Sequence, residues 1–75
     1  MDSQLRPEPA PNIASEQVQF EAKRFFLDLK ENQRGRVFKI TEDNKGRRDT
    51  IMLPSGAAAE FVDALQRLIE FESKL

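Results

Sequence analysis

The sequence of 75 residues predicts an α+β fold in which a four-stranded antiparallel sheet is followed by one C-terminal helix. Three observations support this prediction. Hydrophobic and polar residues alternate with a period of two from Ser15 to Leu53, as they do in strands with one buried face. Two polar segments that contain Gly interrupt the alternation and indicate turns. After Pro54 the hydrophobic spacing becomes 3.6 residues, which is typical of an amphipathic helix.

The first two predicted strands differ in the surfaces that they offer. In the first, Val18 and Phe20 alternate with polar residues, which predicts one half-buried face. The second strand covers about residues 23–30. It has a hydrophobic face with Phe25, Leu27 and Leu29 and a mixed face with Phe26, Asp28 and Lys30.

Polar segments separate the remaining strands. Residues 31–35 and 43–46 each hold a Gly and predict turns on either side of a third strand, about residues 36–42. The third strand places Phe38 and Ile40 on the hydrophobic face and Val37, Lys39 and Thr41 on the mixed face. The fourth strand is short, about residues 48–53.

The helix is predicted to begin after Pro54, with Ser55 as its N-cap. An apolar stripe at helical spacing reaches about Phe71 and contains Ala58, Phe61, Val62, Leu65, Leu68 and Ile69. We expect this stripe to pack on the hydrophobic face of the sheet, because an amphipathic helix buries its apolar side.

Residues 1–13 are predicted to form a disordered tail and residues 14–75 a single domain. The tail contains Pro7, Pro9 and Pro11 and few hydrophobic residues, so it has little to bury and lacks several backbone donors. A chain of 75 residues suffices for one domain at most.

The absence of Cys and His limits how so short a chain can be stabilised. It excludes disulfides and a Cys/His zinc site, and chains of this size bury only about 60% of the surface that they expose when unfolded. One helix also leaves part of a four-stranded sheet uncovered. We therefore expect two copies to pair as a homodimer, without a metal or cofactor.

No segment of the chain has the character of a membrane span or an export signal. Its N-terminus lacks an apolar core, and no hydrophobic run approaches ~20 residues. Because Cys is also absent, we expect an intracellular protein of the nucleus, the cytoplasm or both. Neither a membrane nor a small-molecule substrate is expected as a partner.

Charge is strongly segregated along the chain, although the net charge is only −1. Between Lys23 and Arg48 nine cations stand against four anions, a net +5, whereas the rest has three cations and nine anions, a net −6. Such segregation favours a surface for a polyanion. The alternative is that Lys and Arg simply solvate the hairpins.

Candidate ligand-binding residues lie on the mixed face and the turn after it. Lys30, Asn32 and Arg34 keep the same parity as Phe26, and Lys39 flanks them on the next strand. Cations neutralise phosphates, Asn can pair with a base edge, and an aromatic ring can stack on a base.

Each of these residues also has a purely structural interpretation. Phe26 is as well suited to packing in a dimer core as to stacking, Lys30 and Arg34 could be a solvated tip, and Asn32 could hydrogen-bond the turn backbone. We expect Asp28 to pair with a cation such as Lys39 rather than to touch nucleic acid.

The sequence resembles a repeat of the Pur-alpha family, the purine-rich-element-binding proteins. The resemblance covers about residues 15–73, and Lys-Glu-Asn-Gln-Arg-Gly-Arg at residues 30–36 is its most specific part; Thr-Ile-Met-Leu-Pro at 50–54 and the helix segment 59–65 are also similar. It implies a ββββα PUR repeat, two copies of which intertwine into one PUR domain. It also implies binding of single-stranded DNA and RNA, often G-rich, on the sheet surface.

The resemblance assigns nucleotide contacts to Lys30, Asn32 and Arg34, which match the family's Lys-x-Asn-x-Arg pattern. We add the neighbouring Arg36 and Lys39, together with Phe26, as candidate nucleic-acid-binding residues. Family members often carry an aromatic residue after Gly-Arg that can wedge between bases. Val37 stands there in this chain and cannot stack, which puts strand separation in doubt.

The leading hypothesis is a single-stranded nucleic-acid-binding module that acts in transcriptional regulation or RNA handling. The alternative is a PUR-type dimerisation module that mediates protein–protein association without binding nucleic acid. An enzyme is not expected, because without His or Cys acid–base chemistry would fall to carboxylates or Lys. A solvated helix face explains the acidic residues of the C-terminal segment better. Because many family proteins carry two or three repeats, the chain is either a fragment or a unit that pairs with its own copy.

Overall fold

A computed structural model of the protein describes residues 12–75, which form four strands and one helix in the predicted order. The elements are β1 (Asn12–Phe20), β2 (Lys23–Asn32), β3 (Gly35–Asn44), β4 (Arg47–Pro54) and α1 (Ser55–Glu72). The strands pair as one antiparallel sheet in the order β1-β2-β3-β4. The predicted α+β architecture is thus confirmed, whereas the intertwining of two copies stays a prediction.

Strand β1 begins earlier than predicted. Asn12 and Ile13 belong to β1, whereas the sequence predicts them in the tail. They belong to the strand because Asn12 pairs with Lys30, beyond a register shift between Asn12 and Ala14. The rest of the predicted tail, residues 1–11, lies outside the described residues.

The turns are shorter than predicted, since each of the three hairpins closes with two residues. The turn after β2 contains only Gln33 and Arg34, and the turn after β3 only Lys45 and Gly46. In the latter turn φ is +57° at Lys45 and +89° at Gly46, which suits the right-handed twist of the adjoining strands. Residues expected in turns, Glu31, Asn32, Asp43 and Asn44, therefore lie in strands.

Strict alternation divides the sheet into two faces. The face that we call hydrophobic has cross-strand rows of Leu27, Ile40 and Ile51 and of Leu29, Phe38 and Leu53, with Val18 beside Phe25. The face that we call polar carries Ser15, Arg24, Phe26, Asp28, Lys30, Lys39, Thr41 and Arg48. These are the two faces that the sequence predicts for β2 and β3.

Helix α1 starts directly after the sheet. Its N-cap is Pro54, in an extended conformation with φ −57° and ψ 143°, and no side chain caps the helix. The prediction that Ser55 is the N-cap was wrong, because Pro54, the last residue of β4, takes that position and Ser55 is the first helical residue. At the other end the Ser73 N–H donates to the Ile69 carbonyl at 3.0 Å. Within residues 12–75 no helix is long and apolar enough to cross a membrane.

The helix does not cover the hydrophobic face, contrary to expectation. It contacts only β3 and β4 among the described elements, and Phe61 and Leu65 of its apolar stripe remain 46% and 51% exposed. An open hollow of about 260 Å³ lies over Leu27, Leu29 and Phe38. No hydrophobic side chain of residues 12–75 is fully buried, so this part of a single chain has no closed core.

We expect Gly46→Ala to destabilise the fold by about 1 kcal/mol, because an L side chain is disfavoured at positive φ. A Cβ at this position would meet no atom within 4 Å, so the effect comes from the backbone alone. The melting temperature should fall by roughly 4–8 °C.

Gly56→Ala is the matched control, since Gly56 lies in α1 and also faces open space. There Ala should stabilise the protein by roughly 0.5 kcal/mol. Equal shifts of melting temperature in the two variants would contradict the assigned turn geometry.

Candidate nucleic-acid interface

The hairpin tip between β2 and β3 is fixed by the side chain of Asn32. Asn32 is the last residue of β2 and lies opposite Gly35, and its Oδ1 accepts a hydrogen bond from the Arg34 backbone N–H at 2.9 Å. Because that N–H can only donate, the facing atom must be the amide oxygen. The alternative that Asn32 bonds the turn backbone is therefore confirmed.

The same tip is open to solvent. Asn32, Gln33 and Arg34, together with Glu31, line a wide, shallow hollow of about 590 Å³. Lys30 lies two residues before Asn32 on the polar face. The structure thus brings together Lys30, Asn32 and Arg34 at one end of the sheet, as the sequence predicts.

The centre of the polar face holds Phe26, Asp28 and Lys39. Phe26 is half-buried on this face, outside any core of the single chain, and Asp28 lies directly opposite Lys39 in the β2–β3 register. The expected ion pair between Asp28 and Lys39 is absent from residues 12–75. Instead the Asp28 Oδ1 accepts a hydrogen bond from the Ser15 hydroxyl at 2.7 Å, because β1 places Ser15 on the other side of Asp28.

Arg36 is separated from the other predicted residues. It pairs with Glu31 in the register of the β2–β3 hairpin, so alternation places it on the face of Leu29 and not on that of Lys39. Alternation along β3 causes this, since Arg36 has the same parity as Phe38 and Ile40.

Strand β4 adds Arg48, which sequence reasoning missed. Its Nε donates to Asp43 Oδ2 at 3.0 Å, and its guanidinium carbon lies 5.9 Å from the centre of the Phe26 ring. This is within the range of a cation–π contact. The signal in the sequence was the Lys45-Gly46 turn, which sets Arg48 opposite Asp43.

Asp43 joins the turn between β3 and β4 to the polar face. Besides Arg48, it holds the turn itself, since its Oδ1 accepts a hydrogen bond from the Gly46 N–H at 3.0 Å. The pKa of Asp43 is lowered from its ordinary value of 3.8. The hydrogen bond from Gly46 is the largest cause, and the hydrogen bond and charge of Arg48 and the charge of Arg24 act in the same direction, whereas desolvation acts against them. The carboxylate therefore stays ionised at neutral pH and keeps Arg48 beside Phe26.

These features define a class of protein: a single ββββα unit whose sheet presents cations, amide donors and an aromatic ring on one open face. The family model described as PurA ssDNA and RNA-binding protein matches residues 6–75. The chain belongs to this family.

Named relatives come from plants and animals. The chain is 40% identical over 60 residues to Transcription factor Pur-alpha 1 of Arabidopsis thaliana, covering 80% of this chain and 20% of that protein. It is 39% identical over 75 residues to Transcriptional activator protein Pur-alpha of Homo sapiens, covering 91% and 23%. Transcriptional regulator protein Pur-beta-A of Xenopus laevis is 37% identical over 71 residues, covering 93% and 22%. The chain thus spans about a fifth of the length of these relatives.

Asp43→Asn should reduce stability at neutral pH, because Asn keeps an acceptor for Gly46 but loses the charge that pairs with Arg48. The pKa of Asp43 is lowered by folding from its ordinary value of 3.8, so its contribution to stability is complete above that value and is lost as the pH falls through the lower folded pKa.

Melting temperatures of the wild type and of Asp43→Asn should differ at pH 7 and converge as the pH falls through the lowered folded pKa of Asp43. Asp49→Asn is the control, since Asp49 is exposed on the other face and forms no ion pair within residues 12–75; its melting temperature at pH 7 should stay close to that of the wild type. A constant difference between wild type and Asp43→Asn at all pH values would contradict the ionic contribution.

Proposed function

We propose that the chain binds single-stranded DNA or RNA on its polar face and acts in transcriptional regulation or RNA handling inside the cell, in the nucleus, the cytoplasm or both. The observation that carries this proposal is the open tip with Lys30, Asn32 and Arg34, continued along the same face by Phe26 and Lys39. Cations attract phosphates and aromatic rings stack on unpaired bases. The family description and the relatives' names as transcription factors and regulators support it.

A preference for purine-rich, and especially G-rich, strands is supported by the chemistry of the tip. The Asn32 Oδ1 is engaged by the Arg34 N–H, so the Asn32 amide turns its Nδ2 donor to a ligand. Arg34 and Lys30 can only donate. Donors match the O6 and N7 acceptors of guanine as well as phosphate oxygens, whereas adenine places an amino group at the position of O6.

Val37 limits what the site can do. It lies opposite Lys30 on the polar face, where many family members carry an aromatic residue. An aliphatic side chain cannot stack on a base, so the proposed mechanism is binding of strands that are already single rather than separation of a duplex. The available ring is that of Phe26. Arg36 contributes, on this proposal, only general positive charge at the tip, because it lies on the other face.

Pairing with a second PUR repeat, most simply another copy of this chain, is part of the proposal. The apolar stripe of α1 and the hollow over Leu27, Leu29 and Phe38 are both open, and burying them would provide the core that residues 12–75 of one chain lack. In such a pair the polar face remains accessible, because the surfaces to be covered are the opposite face and the helix.

The second candidate function is a dimerisation module without nucleic-acid binding. The half-exposed stripe with Phe61, Leu65 and Ile69 favours it, since association alone would explain that surface. Association alone, however, does not explain the hydrogen-bond donors at the hairpin tip, and these donors favour the nucleic-acid-binding function. That the chain is not an enzyme stays a prediction.

Changing Lys30, Asn32 and Arg34 together to Ala should weaken binding of a G-rich single strand at least tenfold in fluorescence-anisotropy titrations, because two cations and one donor are lost. The dependence of log K on log salt should become shallower by about 1.4, or roughly 0.7 for each phosphate contact.

The matched control changes Gln66, Arg67 and Lys74 to Ala, which removes the same charge and one amide from α1 and the residues after it. This control should keep both affinity and salt dependence. A correctly folded tip variant with an unchanged titration would refute the assignment of the tip and favour the dimerisation module.

Leu65→Ala should weaken pairing by about 2–5 kcal/mol if the helix stripe is buried between copies. Sedimentation equilibrium should show dissociation at higher protein concentration than for the wild type, and the melting temperature should become more dependent on concentration. Asp63→Ala, on an exposed position of the same helix, is the control. A wild type that stays monomeric at all concentrations would exclude the pairing.

A further inference from the structure

The middle of the polar face contains a hollow that neither the hairpin tip nor the pairing surface uses. Its volume is about 250 Å³, and it is lined by Phe26, Asp28, Lys39, Thr41 and Arg48. Thr41 is 8% exposed and forms the floor, where its hydroxyl lies 3.3 Å from that of Thr50. The hollow combines a ring, an acceptor and donors within a space that suits one nucleobase.

Asp28 supplies the acceptor, and its orientation is set by β1. The Ser15 hydroxyl donates to Asp28 Oδ1 at 2.7 Å and itself accepts a hydrogen bond from Asn12 Nδ2 at 3.3 Å. Within residues 12–75, Oδ2 of Asp28 has no hydrogen-bond partner. A carboxylate has about four lone-pair sites, so Asp28 retains acceptor capacity while Ser15 holds it in place.

Lys39 supplies a donor beside this acceptor. Asp28 and Lys39 are directly opposite in the β2–β3 register, where Cβ atoms are about 4.5–5.5 Å apart. In the described part of the chain Lys39 forms no ion pair, with Asp28 or with any other carboxylate. The Asp28 carboxylate and the Lys39 ammonium group thus lie side by side without binding each other. Together they complement a ligand that has hydrogen-bond donors next to an acceptor.

Phe26 and Arg48 supply flat surfaces. The Arg48 guanidinium lies 5.9 Å from the centre of the Phe26 ring and is tethered by Asp43. Unpaired bases stack on aromatic rings and on guanidinium planes. A base in the hollow therefore finds a stacking surface beside the hydrogen-bonding pair.

We infer that this hollow is a base site that reads the Watson–Crick edge of a guanine, an inference that rests on the proposed binding of single strands. The N1–H and N2 amino group of guanine donate to Asp28, and its O6 accepts from Lys39. Adenine and cytosine instead turn a ring-nitrogen acceptor toward the carboxylate, which repels it. Asp28 lies four residues before Asn32, about 13 Å along β2, so this site is separate from the hairpin tip.

The test compares a G-rich single strand with the same strand carrying inosine, which lacks only the N2 amino group. The wild type should bind the guanine strand about tenfold more tightly, the range for a good bidentate contact. Asp28→Asn should bring this ratio close to one, because the amide offers one acceptor in place of two. Asn has the same size and can still accept from Ser15, so the fold should persist.

Asp49→Asn is the matched control, since it removes the same charge from the opposite face and should keep the tenfold ratio. Loss of a negative charge raises the affinity for both strands, and this general gain cancels in the ratio of the two affinities. A second variant, Lys39→Met, tests the other half of the site. The Lys39→Met variant should discriminate less than the wild type against a strand with 2-aminopurine, which lacks both O6 and the N1–H of guanine, because only the contribution of O6 depends on Lys39. This variant decides the matter if Asp28→Asn does not fold.

The outcomes separate the two levels of the proposal. If the wild type binds single strands but Asp28→Asn and Lys39→Met keep the wild-type ratios, the guanine site is wrong and the binding function stands. If the wild type binds none of the strands, the proposed function fails and the guanine site fails with it.

Discussion

Alternation of side chains along β2 and β3 is the constraint on which the rest of the structure depends. Leu27 and Leu29 lie on one side of the sheet because Phe26, Asp28 and Lys30 lie on the other. A shift of pairing by one residue would exchange the two sets and destroy both surfaces at once. Two-residue turns prevent such a shift, since they fix the register at each end of the sheet.

Much of this fold follows from the sequence, because period and turn chemistry are local properties. The strand ends do not. Asn32 and Asp43 are typical turn residues, yet they lie within the last two residues of β2 and β3. Their side chains accept hydrogen bonds from the turn backbone and thereby allow tighter turns than composition suggests. The position of α1 could not be predicted either, since the apolar stripe of the helix finds too little of the sheet within its own chain.

The sequence predicts the candidate site only where its residues lie close together along the chain. The sequence predicts Lys30, Asn32 and Arg34 because they follow each other at a fixed spacing. It does not predict Ser15 and Arg48, because strand pairing brings them to the polar face from β1 and β4. Arg36 was included because it lies next to the tip and is charged, although its parity with Phe38 and Ile40 places it on the hydrophobic face. The ion pair between Asp28 and Lys39 was expected from charge alone, but Oδ1 of Asp28 accepts a hydrogen bond from the Ser15 hydroxyl instead.

The contact between Asp43 and Arg48 has a thermodynamic consequence for recognition. A free arginine side chain loses on the order of 2 kcal/mol of rotamer entropy when a ligand immobilises it. Here a carboxylate within the same hairpin restricts Arg48 before any polynucleotide arrives. The ordering cost is thus met during folding rather than during association, which makes the surface around Phe26 preorganised for planar ligands.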